Sequence, residues 1–209
     1  GTAAISLALV KRSHRSLRGV GTLAVGLGML TAGLLLITAR GAVPLWTSII
    51  AANALMQFAY IVNWMGVRKL IGAEPLSPFV HVVPFAVVSA IAYHWNDESA
   101  LGLRMGFGQT GAGVLYLLQG IDVTRRWRFG ATGQRSLGLA LLGHGGFLLA
   151  VGILAFQSGA AGDIHADSQV RSVLVLEGFV AAVVLLATVF LTINERLIGE
   201  LNLQATIDP

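Results

Sequence analysis

Residues 173–203 read VLVLEGFVAAVVLLATVFLTINERLIGELNL, a long apolar run that continues into a polar segment. From 173 to 193 it contains one charge, Glu177, and no proline, so a helix rising 1.5 Å per residue can cross a hydrocarbon core of about 30 Å. Beyond 193, polar helix formers continue without a breaker. Four side chains then fall on one stripe at spacings of four, four and three residues, which is typical of a short two-stranded coiled coil: Ile193, Leu197, Leu201 and Gln204. The stretch therefore predicts a membrane span that leaves the bilayer as an unbroken helix.

The composition of the whole chain agrees with a membrane location. Of its 209 residues 55% are apolar and only 11% are charged, whereas soluble domains carry about 25% charged residues. The absence of cysteine excludes disulfides, thiolate metal sites and a cysteine nucleophile. The net charge of +4 comes from short loops between apolar runs, a pattern that indicates membrane topology and not a nucleic-acid surface.

Six further apolar runs precede the last one. They cover residues 1–10, 20–39, 44–65, 78–95, 100–121 and 137–156, and the first is only part of a span. Every short loop rich in Lys and Arg falls on one side of the alternating runs, and the positive-inside rule assigns that side to the cytoplasm. We therefore predict an all-α transmembrane bundle of about seven helices with its carboxyl terminus in the cytoplasm. Residues 1–193 form the transmembrane domain in this prediction, and residues 194–209 form a cytoplasmic signalling helix or linker.

Two opposite charges occur inside predicted spans. Arg104 lies about one helical turn from the outer end of the fifth span, and Glu177 lies at a similar depth in the seventh. Charged groups in hydrocarbon are costly unless they are paired, so we predict an ion pair between them. A structural clasp is favoured over a ligand-sensing site because pairing already accounts for both charges.

Two histidines lie at comparable depth on different predicted helices. His81 is in the fourth span, and His144 is in the sixth, flanked by glycines. Two neutral imidazoles with space for a macrocycle could ligate the iron of haem b, with Arg68, Lys69 and Arg135 near the propionates. The alternative is that each histidine forms a hydrogen bond between helices.

The sequence contains none of the common catalytic motifs. It has no glycine-rich phosphate loop, no His-Glu-x-x-His and no Gly-x-Ser-x-Gly elbow, and it lacks the broken-helix pairs expected of a transporter. We therefore expect no enzyme active site within these residues.

Several short segments suggest a family. They are KRSHRSLRG at 11–19, ANAL at 52–55, GVRKLIG at 66–72, NERL at 194–197 and ATIDP at 205–209. Together they resemble the amino-terminal membrane sensor region of bacterial diguanylate cyclases, in which a segment like ATIDP leads into a GGDEF catalytic domain. The resemblance implies a bacterial inner-membrane location, a fused GGDEF domain that makes cyclic di-GMP, and signalling through the last helix of a homodimer. It also implies that the input is haem held inside the membrane, as in some such sensors.

Two other functions remain open at this point. A b-type cytochrome that transfers electrons in the membrane would use the same two histidines but would not need the polar helix after residue 193. A sensor of another small ligand would need the helix and not the haem. A small-solute carrier is disfavoured because no substrate path is evident.

Overall fold

The computed structural model describes residues 4–7, 18–94, 100–126, 131–158 and 168–207, and every regular element in these ranges is helical, as the sequence predicts. Side chains at 101, 158, 168–179, 200, 201 and 203–207 are outside the description. The helices are α1 (described at 4–7), α2 (Val20–Thr38), α3 (Ala52–Leu70), α4 (Val82–Tyr93), α5 (Leu101–Arg125), α6 (Thr132–Ser158) and α7 (Ser168–Ile207). A π-helical turn (Thr47–Ala51) leads into α3, and a 3-10 turn (Pro78–His81) leads into α4.

Four helical segments in the described ranges are long and apolar enough to span a membrane: Val20–Thr38, Thr47–Leu70, Thr132–Gln157 and Val180–Gly199. The apolar segment Pro78–Tyr93 is shorter than these four. Helix α5 has 25 residues, but its glycines and its Gln and Thr side chains make it less apolar. Length and composition thus support a membrane bundle, and four of the seven predicted spans meet both requirements.

Helices α5 and α6 are packed backbone to backbone through glycines repeated every seven residues. The facing positions are Gly106, Gly113 and Gly120 on α5, and Gly138, Gly145 and Gly152 on α6. A β-carbon at Gly113 would lie 2.7 Å from the Leu149 nitrogen, and one at Gly145 would lie 2.8 Å from the Leu117 nitrogen. Hydrocarbon gives no hydrophobic drive for helix association, so close approach between small residues supplies the packing energy instead. These glycines therefore hold the two antiparallel helices together.

Helices α2 and α3 form a second antiparallel pair of the same kind. Small residues recur every seven positions on both: Gly19, Gly26 and Gly33 on α2, and Ala52, Ala59 and Gly66 on α3. A β-carbon at Gly33 would lie 2.9 Å from the Ala52 oxygen. Gly19, at the start of α2, has φ +96° and would place a β-carbon 2.3 Å from the Gly66 oxygen, so both its backbone angle and its surroundings require glycine.

Helix α7 is continuous from Ser168 to Ile207, which confirms the predicted unbroken exit helix. It packs on α6, and its buried residues join a core cluster that includes Leu70 and Leu137. Ile193 is only 3% exposed within this cluster, and Leu197 packs against it. The first two residues of the predicted coiled-coil stripe therefore pack inside the chain's own bundle, and this part of the predicted seam is wrong.

Candidate functional site

The end of the bundle that carries Arg68, Lys69 and Arg125, here called the basic end, contains a network centred on Asp122 of α5. Trp64 Nε1 donates to Asp122 Oδ2 at 2.9 Å, and an Arg68 guanidinium nitrogen donates to the same oxygen at 2.7 Å. The other oxygen, Oδ1, accepts from Arg126 Nε at 2.9 Å. One carboxylate thus ties α3 to α5 and to the residue after α5. We call Trp64, Arg68, Asp122 and Arg126 the Asp122 network.

The two arginines of this network lie in different environments. The Arg68 side chain is 10% exposed and that of Asp122 is 15% exposed, whereas Arg126 is 44% exposed. Arg68 Nε also donates to the Glu74 carbonyl oxygen at 2.6 Å, which fixes the loop between α3 and α4. The hydrogen bond and the negative charge of Asp122 raise the pKa of Arg126. The charge of Arg68, one of the predicted propionate partners, is compensated by Asp122.

Helix α7 is attached to the same end by two consecutive side chains. Glu195 Oε1 accepts from the Gly133 backbone N–H at 2.8 Å, in the first turn of α6. Arg196 donates to the Leu70 carbonyl oxygen, at the last residue of α3. An anion at a helix amino terminus and a cation at a carboxyl terminus are both favourable with respect to the helix dipole. We call this pair of contacts the exit latch.

The two other predicted propionate partners lie in different places at the basic end. Lys69 Nζ donates to Thr22 Oγ1 on α2 at 3.2 Å and is exposed. Arg135 is exposed near the start of α6, where its backbone N–H donates to the Ala131 oxygen. Neither of these two contacts involves Arg68.

His81 immediately precedes α4, and His144 lies within α6. Both helices pack on α5: Val87 of α4 lies against Gly111, and Leu117 of α5 lies against Gly145, next to His144. Positions 111 and 113 of α5, which face α4 and α6 respectively, point about 200° apart, so the two helices pack on different sides of α5.

The two histidines also have different surroundings. His144 is half-buried, and its ring is edge-on to Tyr116, with centroids 4.7 Å apart; Tyr116 in turn meets Tyr60. The space at the adjacent Gly145 is occupied by the backbone of α5. His81 ends the 3-10 turn before α4 and is half-buried.

Haem binding stays a prediction with a direct optical test. Protein purified from haem-replete cells should show a Soret band that both His81→Ala and His144→Ala abolish, because bis-histidine ligation needs both rings. A colourless preparation, or a band that survives both substitutions, would contradict the assignment.

The predicted ion pair between Arg104 and Glu177 is not tested. The Glu177 side chain lies outside the described part of the chain. A guanidinium nitrogen of Arg104 donates to the His94 carbonyl oxygen at 2.9 Å, which anchors the start of α5 to the end of α4.

Three buried polar atoms have no hydrogen-bond partner among the described residues: Gln57 Oε1, Asn63 Oδ1 and Thr110 Oγ1. Each lies against a glycine of a neighbouring helix, respectively Gly111, Gly26 and Gly152. The amide nitrogen of Gln57 donates to the Gly108 oxygen at 3.0 Å and joins α3 to α5. These atoms thus occupy separate helix contacts and do not converge on one ligand site. Nor do the described residues contain a group of three or more His, Asp or Glu side chains that could hold a metal ion.

No protein-family model matches this chain, and no curated protein or solved structure does. The geometry of the basic end is therefore the main guide to function. There the Asp122 network joins α3 to α5, and the exit latch joins α7 to α3 and α6. Sequence reasoning singled out Arg68 but missed Asp122. The sequence feature that points to Asp122 is a single acid that directly follows an apolar run and precedes a cluster of arginines.

Proposed function

We propose that this chain is a membrane sensory module, with its basic end at the cytoplasm, that controls an effector through α7. The observation that carries the proposal is the exit latch on an unbroken 40-residue helix. The effector implied by the sequence resemblance is a GGDEF diguanylate cyclase in the inner membrane of a bacterium. In this proposal the module carries no catalytic residue and regulates the synthesis of cyclic di-GMP.

The latch gives a physical route for the signal. Glu195 and Arg196 are adjacent, so their side chains leave α7 about 100° apart and hold it at two points of its circumference. Glu195 is bonded to α6 and moves with it, and Arg196 is bonded to α3 and moves with that helix. A displacement of α6 relative to α3 therefore exerts a turning force on α7 at the point where it leaves the bundle. A helix without a break transmits that rotation to its far end.

The proposal is tested with the full-length gene product in membrane vesicles. We expect Glu195→Ala and Arg196→Ala each to change the basal rate of cyclic di-GMP synthesis from GTP by about tenfold, because one hydrogen bond to a charged group contributes about 1.5 kcal/mol. Gly199→Ala is the matched control, since Gly199 is exposed on the same helix with open space around it.

Two outcomes would overturn the proposal at different levels. Vesicles that contain the full-length protein and form no cyclic di-GMP would exclude the cyclase effector. Synthesis that responds equally to Gly199→Ala and to both latch variants would exclude transmission through the latch.

A further inference from the structure

Three cationic residues come together around Leu70, the last residue of α3. Arg196 of α7 donates a hydrogen bond to the Leu70 carbonyl oxygen. Helix α2 begins against the same residue, since a β-carbon at Gly19 would lie 2.7 Å from the Leu70 nitrogen and 3.0 Å from the Lys69 β-carbon. Arg18 directly precedes Gly19, so its backbone lies beside Lys69. We call Arg18, Lys69 and Arg196 the cation cluster.

No carboxylate of the described residues forms an ion pair with Arg18 or Lys69. Both salt bridges among those residues belong to the Asp122 network. The Lys69 ammonium instead donates to a neutral hydroxyl, Thr22 Oγ1, at 3.2 Å. Arg18 and Lys69 are both exposed. Like charges at this separation repel each other, so an anion placed among them is attracted by every member of the cation cluster.

The cation cluster lies where α2 enters the lipid. Val20–Thr38 is long and apolar enough to span a membrane. Thr22, which accepts the hydrogen bond from Lys69, precedes Val25 by three residues, so the two are neighbours on the helix surface. Val25 is 59% exposed. Basic groups at the end of α2 therefore adjoin an apolar surface, a combination that matches a phospholipid, in which a phosphate is joined to acyl chains.

We propose that the cation cluster binds the phosphate of an anionic phospholipid, whose acyl chains run along α2 past Val25. The headgroup is anionic because the choline of a zwitterionic lipid would bring a further cation to the cluster. Lipid is favoured over a free phosphate ion because an ion would make no use of the apolar surface of α2. The lipid bridges α2, α3 and α7, and its phosphate lies beside Arg196 of the exit latch.

This inference goes beyond the proposed function, and its test measures binding without any cyclic di-GMP. Full-length protein in detergent micelles is titrated with phosphatidylglycerol, and the bound lipid is counted by native mass spectrometry. We expect Arg18→Gln and Lys69→Gln each to weaken binding of the first phosphatidylglycerol about fivefold, the contribution of one Lys or Arg near a charged headgroup. Lys69→Arg keeps the charge and should bind nearly as tightly as the natural chain.

The matched control is Arg125→Gln. It removes one exposed cation from the same end of the bundle but outside the cation cluster, so we expect it to leave the dissociation constant nearly unchanged. Equal weakening by Arg125→Gln and Lys69→Gln would show diffuse attraction to the whole basic end and would overturn the proposal.

Two competitors test the identity of the occupant. We expect neither phosphatidylcholine nor inorganic phosphate to displace phosphatidylglycerol when added at the same concentration. Displacement by inorganic phosphate would show that the cation cluster takes a free anion. Displacement by phosphatidylcholine would show that the headgroup charge is not recognised, and either result would overturn the assignment to an anionic lipid.

Discussion

Gly145→Ala is expected to lower the free energy of unfolding by about 1–3 kcal/mol relative to Gly146→Ala, the same substitution one residue later. The added β-carbon at 145 would lie 2.8 Å from the Leu117 nitrogen and 3.0 Å from the Gly113 oxygen, whereas nothing lies within 4 Å at 146. Both close contacts are with backbone atoms, so α5 and α6 must move apart. Reversible unfolding in mixed micelles, followed by circular dichroism, measures the difference.

The neighbouring glycine makes this comparison specific. Both substitutions remove one glycine from the middle of α6 and gain the same helix propensity, so their difference reports packing alone. Gly143→Ala, also with open space, should behave like Gly146→Ala. Equal stabilities for 145 and 146 would show that the glycine repeat does not hold α5 against α6.

Asp122→Ala is expected to have the largest effect of any single substitution discussed here, a loss of about 3–5 kcal/mol, because it leaves the Arg68 charge buried without its counter-ion. Arg68 is 10% exposed and would keep only its carbonyl contacts in the α3–α4 loop. Arg126→Ala removes the other partner of the same carboxylate, but Arg126 is 44% exposed and its ion pair is screened by water, so we expect a much smaller loss than for Asp122→Ala.

A double substitution separates the lost ion pair from other effects of the alanine. Arg68→Met in the Asp122→Ala background removes the uncompensated charge and keeps most of the volume, and it should recover a large part of the stability. Unfolding is measured in the same micelles as above. If Arg126→Ala costs as much as Asp122→Ala, or if Arg68→Met gives no recovery, the buried pair does not stabilise this end of the bundle.

The helices themselves could be predicted because the bilayer imposes strong requirements on sequence. Apolar runs near the length of a hydrocarbon core stand out, and the continuous α7 follows from helix formers without a breaker between 173 and 203. The pairing of helices could not be predicted in the same way. Glycines at 106, 113 and 120 are visible in the sequence, but no feature of the neighbouring sequence indicates that they face the glycines at 138, 145 and 152.

The residues of the candidate site could likewise be predicted only in part. Arg68 could be singled out from its position at a span end, but its partner Asp122 lies 54 residues away and pairs with it only through the packing of α3 on α5. In the sequence Glu195 and Arg196 are simply two charged residues of a polar tail. Their contacts with the ends of α6 and α3 form only in the folded bundle, so the sequence does not predict them. Ile193 was assigned to a seam because periodicity identifies an apolar face without identifying what covers it.

The two glycine-packed pairs also determine where the bundle can deform. Helices that approach this closely, as α2 approaches α3 and α5 approaches α6, are too tightly packed to slide apart without cost. A change in bilayer thickness, which tilts helices at a modest cost per ångström, would therefore tilt each pair as one body. Helix α7 meets α6 through only one close glycine contact among the described residues, at Gly133. One boundary along which the bundle can deform therefore lies between α6 and the last helix, where lateral pressure in the lipid can act.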